Sequence, residues 1–365
     1  MKHILSSLKA FLLALTAFIG LTACDVHEEP HIDYGDIDYY LDLVYEGDMP
    51  LYQEILFSRS YDNESRASFF AHDVRYIIKV YPAGANTKSR FDDTPLRTFV
   101  FTDRSDAAMD RRLKISLPEG DWDIYAWTDF VDLGKTDDKY YILDDWSAIS
   151  LPSPSVYEGS NECRQTFRGM TRVNVVHPYR FMENETLPDY CATVDMVRPT
   201  AKFEFVSTDV EEFVKRLPDL TGRGSRKDNE SRGEIDSRSL SRADLEDFKV
   251  VFRYTAFNPS VYNIFTDKPT DSRTGMSFES FMDVRDDGIV LGFDHVLVNS
   301  SETIVNVSCE VYNSDGDKIA SSPSIEVPVL RGKYTTVKSE FLTSSSQGGV
   351  SINPGFDGDY DIEIK

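Results

Sequence analysis

The chain has 365 residues, with 62 acidic and 39 basic side chains and a formal net charge of -23. So acidic a balance excludes a general nucleic-acid partner, which needs a basic footprint, and suits solubility and resistance to non-specific association at a crowded surface. The length fits two domains of ordinary size, and no apolar run after the first two dozen residues reaches the length of a membrane helix.

Taken in chain order, Met1 to Lys9 carries Lys2 and Lys9 without an acid, and Ala10 to Gly20 is almost wholly apolar. This is the layout of a secretory signal, with an apolar core too short to span a bilayer comfortably. Leu21-Thr22-Ala23-Cys24 follows, a branched apolar residue, two small residues and a cysteine where a signal peptidase would cut. The segment resembles the lipobox of bacterial lipoproteins. The resemblance implies cleavage before Cys24, acylation of its thiol with palmitate-type chains, and acylation of the freed amine. Several acyl chains, at roughly 0.8 kcal/mol per buried methylene, hold a soluble domain on a membrane durably where one would not. The alternative is a plain secretory signal in which Cys24 is incidental. Residues 1–23 are thus read as signal peptide and 24–35 as an acidic tether, with Asp25, Glu28 and Glu29 beside the lipid site.

Beyond the tether the sequence reads as short strands separated by turn residues. Ile37, Tyr39, Leu41 and Leu43 alternate with Asp38, Tyr40, Asp42 and Val44. Val74, Tyr76, Ile78 and Val80 repeat the pattern, as do Leu113, Ile115 and Leu117. Pro118-Glu119-Gly120 then leads to Trp122, Ile124 and Ala126, so Leu113 to Thr128 is expected to be a hairpin. Trp122, Trp127 and Trp146 crowd this region with Tyr125, Tyr140 and Tyr141. Aromatic residues dominate most sandwich interiors, which makes core packing the first reading; the alternative is a platform on which Trp127 and Trp146 stack a polysaccharide. Cys163 and Cys191 could pair across one loop, although no framework pattern demands it. Pro199 favours an extended link, and the domain boundary is placed between Asp195 and Lys202. One domain is then 36–196 and the other 197–365.

In the second half the expected strands are Ala201 to Val206, Phe248 to Tyr254, Val290 to Val298, Thr303 to Tyr312, Ser324 to Val329, Tyr334 to Phe341 and Asp359 to Ile364. Val210, Phe213, Val214 and Leu217 fall on one face of a short helix. Thr221 to Asp244 is a dense mixture of Arg, Ser, Gly and acids that cannot bury enough surface to offset its ordering entropy, and is read as a mobile loop. Asp286-Asp287-Gly288 and Asn313 to Asp317 hold residues that tolerate positive φ and mark tight reversals. The latter, like Asp357-Gly358-Asp359, looks slightly like a calcium loop but has no closing bidentate Glu. Cys309 lies in phase with Val305, Val307 and Val311, as a buried strand thiol would.

The expected class is therefore all-β, with two tandem sandwiches rather than an α/β enzyme scaffold. Chemistry-bearing motifs are lacking: no Cys-x-x-Cys, no His pair at ligand spacing, no Gly-rich phosphate loop, no Gly-x-Ser-x-Gly and no His-Glu-x-x-His occurs. Neither a metal site, a small-molecule cofactor nor an enzymatic activity is expected.

Leu117-Pro118-Glu119-Gly120-Asp121-Trp122, running on to Trp127, resembles a strand-turn-strand signature of fimbrial proteins from Bacteroidota-type bacteria. Arg198-Pro199-Thr200-Ala201-Lys202-Phe203-Glu204-Phe205 resembles the opening of their second domain, and Val327 to Val337 a late hairpin. With the lipobox, the similarity to the fimbrillin-like anchor lipoproteins covers nearly the whole chain. The resemblance implies tandem transthyretin-like sandwiches on the outer face of the outer membrane, with other fimbrial subunits as partners. Its mechanism would be completion of a sheet edge by a strand of another subunit. The candidate donor is Tyr360, Ile362 and Ile364 at the C-terminus, against the alternative of a last strand paired within its own domain. The candidate acceptor or propeptide strand is Ile37 to Tyr45. The first functional expectation is a fimbrial anchor or accessory lipoprotein; the alternative is a surface glycan-binding lipoprotein of a polysaccharide-uptake system.

Overall fold

The computed structural model describes residues 35–46, 72–84, 94–104, 112–180, 186, 188–220, 240–299, 303–343, 350–353 and 359–364. Cys24 and the tether as far as residue 34 lie outside the described residues, as do residues 221–239 of the expected loop. Strand is the dominant regular structure of the described part, arranged in several sheets with only short helices, which makes the protein all-β.

In the first half, β1 (Ile37–Tyr45) pairs antiparallel with β4 (Arg112–Leu117) and parallel with β8 (Cys191–Met196). The alternation read from sequence turns Ile37, Tyr39, Leu41, Leu43 and Tyr45 inward. A second sheet has the order β3 (Arg97–Arg104), β2 (His72–Pro82), β5 (Gly120–Asp132), β7 (Phe167–Val175). The two sheets face each other: Tyr45 meets Phe167 edge-on at 4.9 Å, and a Cβ on Gly169 would strike Val194 and Met196.

β2 and β5 are buried on both faces. Their outer face is covered by residues 140–151 and by the second half, where Phe265 packs edge-on against Tyr81 at 5.4 Å and Tyr125 at 5.0 Å. A three-stranded sheet joins the halves: β6 (Ile149–Ser150) pairs with β11 (Asn258–Asn263), which pairs with β12 (Lys268–Arg273).

The second half has two larger sheets. One is β13 (Ser277–Ser280), β10 (Lys249–Tyr254), β16 (Thr303–Tyr312), β17 (Lys318–Ser321), with β18 (Ile325–Val329) also on β16. The other runs β14 (Asp283–Arg285), β15 (Gly288–Leu297), β9 (Thr200–Ser207), β19 (Tyr334–Ser339), β21 (Asp359–Ile364), β20 (Val350–Asn353). Phe205 of the second sheet meets Phe252 of the first edge-on at 5.3 Å, which places the core between them. Helix α1 (Val210–Leu220) buries Phe213, Val214 and Leu217, with Phe213 packed edge-on against Phe248 at 5.4 Å.

Three expectations need correction. Leu113 to Thr128 is not a hairpin: β4 belongs to the sheet of β1 and β5 to the facing sheet, so Pro118-Glu119 is an arch between layers. The segment resembling a late hairpin is likewise an arch, because β18 pairs with β16 while β19 pairs with β9 and β21. Both runs have strand period and turn residues, but neither property specifies whether the chain returns beside itself or crosses the core. The expectation of a loop up to Asp244 also fails over its described end, since Leu240 is buried and Arg242–Leu245 forms a short helix, α2.

The first arch has a clear local cause. Gly120 has φ +146°, and a Cβ there would lie 2.9 Å from the indole of Trp122, which folds back to donate from Nε1 to the Pro118 carbonyl at 2.9 Å. Glycine is required because the ring occupies the space of any side chain. At the second, Gly332 (φ +65°) donates its N–H to the Thr200 carbonyl at 2.9 Å, and Arg331 reaches across to grip Asp267 through two hydrogen bonds of 2.7 and 2.8 Å.

Candidate functional surfaces

The first strand is the element nearest the expected lipid site, and its seat is deep. Tyr40 N–H donates to the Tyr190 carbonyl at 2.8 Å, Glu46 N–H to the Met196 carbonyl at 2.8 Å, and the Tyr39 hydroxyl to the Cys191 carbonyl at 3.0 Å. On the outer face Asp36 receives Arg97 at 2.8 Å, Asp38 receives Lys114 at 2.7 Å, and Asp42 receives Arg112 through two bonds of 2.6 and 2.7 Å. The Arg112 hydrogen bond holds the Asp42 carboxyl below its usual range, and the bond to Asp38 raises Lys114. β1 is therefore an interior strand, bonded on both edges and clasped from outside.

The C-terminal strand is paired within its own chain. β21 runs parallel to β19, with Thr335 opposite Tyr360 and Val337 opposite Ile362, and antiparallel to β20, where Val350 lies opposite Ile364. β20 ends the sheet at this side and β14 at the other.

Between the halves lies a polar cluster that sequence reading missed. Arg164, from the 3-10 turn Glu162–Arg164, is 1% exposed, and Asp294 of β15 is 0% exposed. They form an ion pair. Arg164 also donates to the Tyr157 hydroxyl at 2.6 Å, and Asp294 accepts from Tyr157 and Tyr254, each at 2.6 Å. Tyr141 closes the shell by donating to the Arg164 carbonyl at 2.7 Å. Burial, then the Asp294 charge, pushes Tyr254 well above the usual phenol range; burial does the same at Tyr157, where the Arg164 charge opposes the shift and the Asp294 charge reinforces it. Beside the pair, Glu162 receives Lys202 at 2.6 Å and faces the His295 ring nitrogen at 3.4 Å. Burial lowers the His295 pKa, with Glu162 offsetting part of the shift. The sequence signal was Asp294-His295 inside the apolar run Val290 to Val298, a polar pair where a buried strand has no use for one unless partnered.

Trp127 is 0% exposed and Trp146 2%, so neither ring face is open to a sugar. Trp127 packs edge-on against Tyr141 at 5.5 Å, and Lys79 lies 4.5 Å above Trp146. The polysaccharide platform on these residues is therefore not built. Cys163, Cys191 and Cys309 are free thiols, and burial pushes Cys163 and Cys309 up to about 12. Asn313 to Asp317 is a hairpin turn in which the Asn313 side chain accepts from Asp315 N–H at 3.1 Å and Asp317 N–H at 2.8 Å. Among the described residues no group of His, Cys, Asp or Glu could hold a metal ion, and no helix is long and apolar enough to cross a membrane.

A family model described as a family of unknown function, DUF6562, matches residues 44–365. No curated protein matches the chain. Solved structures that align with it include a Bacteroides thetaiotaomicron protein provisionally described as polysaccharide binding, at 11% identity and TM-score 0.37, covering 78% of this chain and 79% of that one. The fimbrial anchor protein Mfa2 of Porphyromonas gingivalis aligns at 12% identity and TM-score 0.35, covering 78% and 81%. A fimbrial assembly protein of Parabacteroides distasonis aligns at 13% identity and TM-score 0.34, covering 83% and 90%.

Proposed function

The chain belongs to this family of unknown function, and within it we propose a non-enzymatic role as a lipid-anchored fimbrial anchor or accessory subunit at the cell surface. Lipid on Cys24 holds the protein to the outer membrane, and strand-edge contacts hold a fimbrial subunit to the protein. The observation that carries this reading is the placement of the two terminal strands. β1, which continues from the tether, is an interior strand and stays with its module. The C-terminal pair of β21 and β20 finishes one side of a six-stranded sheet, where main-chain groups of an edge strand can receive another chain. Burial of Trp127 and Trp146 removes the residues on which a glycan-binding role would rest.

The test is crosslinking on intact cells, capture of the native lipoprotein, and mass spectrometry of what is retained. Fimbrial subunits are expected with the full chain and not with a chain ending at Thr343, whose remaining fold is checked by circular dichroism. Recovery of polysaccharide-uptake components alone would overturn the reading. Cys24→Ala is expected to abolish palmitate labelling and to leave the protein soluble or unprocessed.

A further inference from the structure

We propose that β1 and β8 form a mechanical clamp that resists tension between the N-terminal tether and the second half of the molecule. The inference rests on the anchor reading for its use, but its physics depends only on topology. β1 and β8 run parallel, in register from Tyr40 opposite Cys191 to Tyr45 opposite Met196. Tension from the tether enters β1 at its N-terminal end, at Asp36. It leaves along the chain from the C-terminal end of β8, where Val197 leads into β9. In a parallel pair those two points lie at opposite ends of the ladder. A pull between them is directed along the strands, and every interstrand bond carries load together. Applied at the same end of both strands, the same pull would open the bonds one after another.

Both ends of the ladder are pinned. At the exit, Val197 exchanges two backbone hydrogen bonds with Arg168 of β7, at 2.8 and 2.9 Å, and Arg198 donates to the Glu46 carbonyl at 2.8 Å. At the entry, Arg97 of the facing sheet grips both oxygens of Asp36 with its two terminal nitrogens, and Nη1 also donates to the Ser116 carbonyl of β4 at 2.8 Å. Lys114 and Arg112 hold Asp38 and Asp42 along the other edge. Exposed ion pairs of this kind add little to equilibrium stability. Placed along a strand loaded in shear, they resist sliding against β4. Leu41 and Leu43, 0% and 1% exposed, would have to leave the core before β1 could slip by one residue, because a one-residue slip turns every side chain to the other face.

Optical-trap unfolding of the mature chain tests this, because forced unfolding reports the barrier along the pulling direction rather than equilibrium stability. In one geometry, handles sit at residue 24 and at Lys365. In the other, the first handle moves to Glu46→Cys, at the C-terminal end of β1, and the exit is unchanged. Both use Cys191→Ser so that the exposed thiol takes no handle. The first geometry is expected to show a distinct high-force rupture, and the second to lose it while the denaturant midpoint stays the same. Equal rupture forces in the two geometries, or a first geometry that yields at the lower force, would overturn the clamp. The protein pulled carries no acyl chain, so failure of Cys24 to label with palmitate would sink the anchor reading and leave this result standing.

Discussion

At Gly120 a positive φ and an indole ring meet in one place, and the outcome is set by hard contact rather than by propensity. Any β-carbon there displaces Trp122, which then loses its hydrogen bond to the Pro118 carbonyl. Gly120→Ala is expected to cost about 1–3 kcal/mol, the range for a non-glycine residue held in a disfavoured backbone region. Urea unfolding measures it. In a Trp122→Ala background the same substitution should cost less, because the steric part of the penalty has gone; an equal cost in both backgrounds would mean that the backbone alone is responsible. The motif Leu117 to Trp122 was legible as a turn with an aromatic partner. That the turn crosses between sheets was not, because Gly, Pro and Trp describe the bend and not the partner of the strand beyond it.

Where elements meet, Arg164 and Asp294 tie the turn Glu162–Arg164 to β15 over a distance of 130 residues in sequence. Both are buried, so the pair is a costly arrangement once one partner is lost. Arg164→Met alone is expected to destabilise by about 3–5 kcal/mol, since Asp294 is then left buried without its cation among Tyr157, Tyr254 and His295. The double variant Arg164→Met with Asp294→Leu should recover much of the loss, because no uncompensated charge remains. Chemical denaturation of the four proteins closes the cycle, and a double variant no better than the single would mean that the tyrosines, not the charge, need the pair.

For the whole molecule, the junction between halves carries a pH dependence. The folded pKa of His295 is depressed below its ordinary 6.5 by burial, so the unfolded chain binds the proton first as pH falls. The contribution of His295 is therefore fully present above pH 6.5 and is lost progressively below it, toward the lower folded value. The denaturant midpoint is expected to fall in that window more steeply for the parent than for His295→Gln. Parallel curves would show that other groups carry the loss. The same junction explains why Trp127 and the second face of β2 and β5 are dry, since Tyr262 and Phe265 of the second half cover Trp127, Tyr81 and Tyr125.

The sequence by itself determined the class of the protein and the inward face of most strands. Val74, Tyr76, Ile78 and Val80, or Val305, Val307, Cys309 and Val311, show the period of two that a pleated strand imposes on any chain with one dry side. It also marked the helix at Val210 and the reversal at Asn313, where local chemistry suffices. Pairing was decided only in three dimensions. β3, β7, β8 and β12 were not read as strands, because all four lie at sheet margins with mixed faces. Period and turn residues are local, whereas the parallel union of β1 with β8 and the charged pair between halves join chain segments a hundred or more residues apart, and the two arches depend on strand partners that lie outside the turn itself; only the packed core brings those together.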